Sequence, residues 1–186
     1  PNRRRCIPMS DPQLNKQRQI LVVGCALGAA ASVTMLWFTV SCLLYALAAL
    51  VLGVGSFLAR HAARGFDIAW KAAIPTIVIE LLGGLLTQYD LVLLTTLMTA
   101  ILFYFIMTYS VSGLAEVLHI RGSGPRRPPR AAMLFEYAAG VYALARLLTD
   151  FLPALNLITD LIAMIAMTVG FVMVLRFFAT ARPGNG

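Results

Sequence analysis

From Ile20 to Ala59 the chain runs for about forty residues without one charged side chain. As a single helix rising 1.5 Å per residue, that stretch would reach roughly 60 Å, twice the roughly 30 Å thickness of a hydrocarbon core. It therefore folds back on itself, as two spans joined by a turn expected near Trp37 to Ser41. Trp37 and Tyr45 fit an interfacial belt there, and the Thr39 and Ser41 hydroxyls suit the unpaired backbone of a turn. The rest of the chain has the same character. Hydrophobic residues make up 60% and charged residues 12% of the 186 positions, with a mean hydropathy of +0.82. A water-soluble domain of this length could not hide so much apolar surface, so the bilayer is the expected solvent.

The basic residues set the expected topology. Lys and Arg number 15 against 8 Asp and Glu, a net charge of +7, and every one except Arg146 falls at a terminus or in a segment between apolar runs. That distribution is the positive-inside pattern and not a nucleic-acid-binding surface, so no nucleic-acid partner is expected. The fold class read from it is all-α: a polytopic transmembrane helical bundle of six spans arranged as three helical hairpins, with both termini cytoplasmic. A basic segment, 1–19, precedes a transmembrane domain, 20–178, and a short cytoplasmic tail, 179–186, follows. The spans are expected at about 20–38, 41–59, 68–87, 91–118, 131–152 and 154–178. Pro75 is expected to kink the third. The apolar run after residue 19 is too long for a signal peptide. The expected location is the plasma membrane, or the inner membrane of a bacterium.

Two sets of residues stand out. Gly24, Gly28 and Ser32 recur every four residues on the first span, and Ala49 and Gly53 do so on the second. Small residues at that spacing let backbones approach closely, so the stripe packs either this hairpin or a partner subunit or second copy. The other set is charged. Glu80, Arg146 and Asp160 each lie about six or seven residues, roughly 10 Å, beneath the expected outer boundary. Asp150 stands one helical turn after Arg146, and Asn156 one turn before Asp160. Charges at that depth cost roughly 2.5–3.5 kcal/mol each, so they pair or line a wet cavity. One reading has Arg146 clamping the third, fifth and sixth spans through Glu80 and Asp160. The other has the layer receive a small polar or cationic ligand, because two carboxylates outnumber one arginine.

Signals for chemistry are lacking. Cys6, Cys25 and Cys42 form no CxxC pair, and His61 and His119 lie beside basic loop residues, so neither a metal nor another cofactor is expected. No nucleophile elbow or phosphate-binding loop is present, and a non-enzyme is expected. In length and topology the chain is similar to the substrate-binding subunits of energy-coupling vitamin transporters, without any motif of theirs. That similarity implies an outward pocket and a docking face on the first spans. The function expected is binding or translocation of a small polar or cationic solute through the charged layer, alone or within a transport complex. The alternative is an accessory or assembly subunit whose ion pairs are purely structural.

Overall fold

A computed structural model describes residues 11–85, 92–118 and 129–181, and all regular structure among them is helical. Six helices follow in order: α1 (Asp11–Val33), α2 (Phe38–Leu58), α3 (Arg64–Leu85), α4 (Val92–Val117), α5 (Arg130–Phe151) and α6 (Asn156–Thr180). A single 3₁₀ turn, Pro153–Leu155, carries the chain from α5 into α6. Each helix packs on the next, and α6 packs back on α1, closing a ring. Contacts climb one helix as they descend its neighbour, as with Gly24 on Leu52 and Gly55 on Leu21, so neighbours run antiparallel.

Five helices, α2 to α6, are long and apolar enough to cross a membrane. Their outward faces carry exposed Leu47, Leu50 and Val54 on α2, Val78 and Leu82 on α3, and Ile162, Ile165, Val169 and Val172 on α6. A continuous apolar exterior of this kind fits lipid and not water. The chain is thus a multi-pass helical membrane bundle. Its first helix differs from the other five. α1 starts at Asp11, well before Ile20, because Gln, Lys, Arg and Leu between them are good helix formers. Only its second half is apolar. Its polar half is fastened by Arg18, whose Nε and Nη2 donate to the carbonyls of Phe178 and Ala179 at 2.9 and 2.8 Å. Those are orphan acceptors at the end of α6, so the cation also sits where the helix dipole favours it.

The first turn falls at Thr34–Trp37, a few residues earlier than the Trp37–Ser41 expected, because local hydroxyls end α1 sooner. Thr34 donates to the carbonyls of Ala30 and Ala31 at 3.1 Å, and Ser41 reaches back from α2 to Ala31 at 2.8 Å. Ser41 is therefore already in the first turn of α2. α3 runs through Pro75, and the hydroxyl of Thr76 donates to the Ala72 carbonyl at 2.7 Å.

The centre of the ring is aromatic. Phe171 of α6 meets Phe103 of α4 at 5.4 Å and Phe135 of α5 at 5.2 Å, both edge to face, while Tyr45 of α2 lies 5.3 Å from Phe103. Such tilted pairs add to the area they bury. The small-residue stripe makes room for this cluster. A Cβ on Gly28 would fall 2.3 Å from the Phe171 ring, one on Gly24 2.6 Å from Leu52, and one on Gly53 2.8 Å from Ala73. Ser32 and Ala49 are fully buried beside them. The glycines of the stripe thus pack against this chain's own α2, α3 and α6.

Apart from Arg146, the basic side chains of the described helices gather at one end of the ring. Lys16 and Arg18 open α1, Arg60 and Arg64 flank the α2–α3 turn, Arg130 opens α5 and Arg176 lies near the end of α6. Arg60 lies 4.0 Å over the Phe57 ring, and Phe57 meets Trp70 edge to face. Trp70 and Lys71 both donate to Asp67.

Candidate functional site

At the opposite end, beneath the α1–α2 turn, polar side chains from four helices converge on a cleft of about 10 Å³. α2 supplies Ser41, Cys42 and Tyr45, α3 supplies Glu80, α4 supplies Thr95, Thr96 and Thr99, and α5 supplies Tyr142 and Arg146; Met35 and Phe38 roof it. That volume accommodates about one water-sized particle. The amphipathic spacing explains the convergence. Thr76 and Glu80, one turn apart on α3, are both buried, as are Thr95 and Thr99 on α4, so the two polar stripes face each other.

Glu80 is 1% exposed. The Thr99 hydroxyl donates to its Oε1, and the Cys42 thiol faces the same carboxyl. Among the described residues Glu80 forms no salt bridge. The expected clamp is therefore only half present. Arg146 pairs through Nη1 with Oδ1 of Asp160, tying α5 to α6, and it does not pair with Glu80 on α3. Thr149 supports this pair: its hydroxyl lies 2.7 Å from that of Thr159 and 3.4 Å from the Asp160 carboxylate. Next to the cleft, Ser32 and Tyr45 hydroxyls meet at 2.9 Å, and Ser32 also lies 2.9 Å from the Gly28 carbonyl.

Asp160 also faces a second cleft, of about 60 Å³, between the α1–α2 turn and α6, lined by Met35, Leu36, Leu157, Leu161 and Met164. Met35 borders both clefts. Of the residues expected in the layer, Glu80, Arg146 and Asp160 are thus gathered within one region. Asn156 stands at the start of α6, exposed at the bundle's end, where its backbone carbonyl accepts from Thr159. The Asp150 side chain lies outside the described residues. Glu116 and Glu136 are exposed.

The uncharged members Cys42, Thr96, Tyr142, Thr149 and Thr159 were not singled out by sequence reasoning. Polar uncharged residues are scattered through every span, and only helix packing selects these. No group of three or more metal-ligating side chains occurs among the described residues. The cleft offers hydroxyls, two phenols, a thiol, one carboxyl and one guanidinium, a set suited to holding a proton or a small cation on the carboxyl. No family model, curated sequence or solved structure matches the chain.

Proposed function

We propose that this chain binds and exchanges across the bilayer a small cationic species, a proton or a monovalent cation, at Glu80. The observation that carries this reading is the burial of Glu80 in a cleft the size of about one water, with hydroxyl and thiol neighbours but no cationic side chain bonded to it. A carboxylate in a bilayer interior is too costly to stand alone, so its charge is balanced by something that comes and goes. The cleft is too small for a vitamin-sized solute. The reading is of a carrier and not of an enzyme, acting in the cell membrane.

In the topology we infer, all six helices cross, and the polar half of α1 lies in the headgroup layer. The basic end faces the cytoplasm and holds both termini, in keeping with the clustering of Lys16, Arg18, Arg60, Arg64, Arg130 and Arg176. A second reading, a structural accessory subunit, draws on the Arg146–Asp160 pair, which Thr149 and Thr159 fasten as a staple between α5 and α6. It leaves Glu80 without a role.

The two readings diverge in proteoliposomes. Purified protein, oriented by labelling cysteines placed at positions 90 and 123 with an impermeant thiol reagent, is challenged with a proton or alkali-cation gradient. Wild type is expected to dissipate one of these gradients, Glu80→Gln to fall to the level of empty vesicles, and Glu136→Gln at the exposed surface to match wild type. Equal flux in wild type and E80Q rules out the Glu80 reading, and both cysteines reacting from one side rules out the topology.

A further inference from the structure

Arg146 and Asp160 form one ion pair that faces two clefts. The guanidinium borders the Glu80 chamber, whereas the carboxylate borders the roomier cleft beside α6, and Met35 is the wall common to both. Tyr142, one turn before Arg146 on α5, is within electrostatic range of both Arg146 and Glu80. One permanent cation is therefore placed between two carboxyls, one already holding it and the other without a cation of its own.

Resting on the reading of Glu80 above, we propose that Arg146 is a switch shared by those two carboxyls. While Glu80 carries its proton or cation, Arg146 stays on Asp160 and the cleft beside α6 is neutral. When Glu80 releases its load, the guanidinium turns past Tyr142 to the bare carboxylate. Asp160 is then left facing its cleft as a lone anion, ready to take the next cation from that side. The physical ground is charge balance. Arginine does not shed its proton, so it needs a carboxylate in every state. With one arginine and two carboxyls, one mobile cation completes the balance, and the carboxylate left bare between loads is the part-exposed Asp160, not the buried Glu80. No other Asp, Glu, Lys, Arg or His borders either cleft among the described residues; the remaining titratable neighbours are Cys42, Tyr45 and Tyr142. Met35, pressed between the two spaces, is the side chain that must shift as the pair opens.

The test uses E80Q, D160N and the double variant of the full chain, read by thermal melting in mild detergent and by carbodiimide labelling of Glu80, quantified on the peptide by mass spectrometry. If Arg146 alternates, each single variant leaves it one carboxylate, so each melts close to wild type. The double variant then loses more than the two singles together. In D160N the arginine occupies Glu80, and labelling there drops by at least about tenfold, the factor that 1.4 kcal/mol of pairing gives. In Arg146→Gln labelling rises. A fixed staple gives the opposite result: D160N alone takes the whole loss, even to the point of not folding, E80Q takes none, and the effects add. That outcome, or unchanged Glu80 labelling in D160N, overturns the switch. The vesicle flux separates the two ideas. Flux with unchanged labelling removes the switch and keeps Glu80 as the exchange site, whereas exchanged labelling without flux keeps the switch and removes transport.

Discussion

Gln17 shows what burial demands of a single residue. It is 2% exposed at the basic end of α1, and neither its amide oxygen nor its nitrogen has a hydrogen-bond partner among the described residues. A buried amide without partners costs about 1–3 kcal/mol, and an apolar side chain of similar shape avoids that cost. Gln17→Met is therefore expected to raise the melting temperature in detergent, by the equivalent of about 1 kcal/mol or more. A fall instead would mean that the amide is bonded in the folded protein. Polar residues also divide sharply in how far the sequence reveals them. Arg146, Asp160 and Glu80 announce themselves because a charge inside an apolar run has few reasons to be there. Thr96, Cys42 and Tyr142 do not, since hydroxyls and thiols are common in membrane helices and their meeting depends on three different helices. The spacing sets Asn156 one turn before Asp160, and the start of α6 at Asn156 leaves it exposed at the helix end.

Helix packing rests on close approach at glycines. At the basic end, a Cβ on Gly65 of α3 would stand 2.4 Å from the Tyr109 carbonyl oxygen and 2.8 Å from the Gly113 nitrogen, both backbone atoms that cannot move aside. Gly140 of α5 is exposed and meets nothing within 4 Å. The same substitution therefore has opposite signs at the two sites. Gly140→Ala gains helix propensity worth about 0.5–1 kcal/mol. Gly65→Ala forces α3 from α4 and is expected to lower the melting temperature by the equivalent of about 1–3 kcal/mol, the usual cost of overpacking. Equal shifts in the two variants would contradict this packing. Helix number and approximate bounds were legible because charge-free runs alternate with basic ones. The start of α1 was not, because its polar half lacks an apolar stripe and is fixed by carbonyls on α6, 160 residues away for the nearer contact. The first turn was misplaced toward Trp37, whose aromatic belt signal is weaker than the hydroxyl bonds of Thr34 and Ser41.

At the scale of the molecule, the ring separates two tasks along its length. The basic end holds Arg18 on the closing helix and the Phe57–Arg60–Trp70 cluster, fitted to a headgroup layer. The opposite end holds the only deeply placed charges among the described residues, gathered around clefts of about 10 and 60 Å³. An aromatic plug of Tyr45, Phe103, Phe135 and Phe171 lies between them. In the proposed exchange, a cation loaded at Glu80 leaves toward the basic end only if that plug repacks, and the flux expected is slow and gated rather than channel-like. The central claim, that the Glu80 carboxyl takes up and releases a cation, is tested most directly by infrared difference spectroscopy of the reconstituted protein. Spectra are recorded on raising the pH and on adding alkali cations. The expected result is a protonated-carboxyl carbonyl band that gives way to carboxylate bands in wild type and is missing from the E80Q difference spectrum. Identical difference spectra for wild type and E80Q would contradict it.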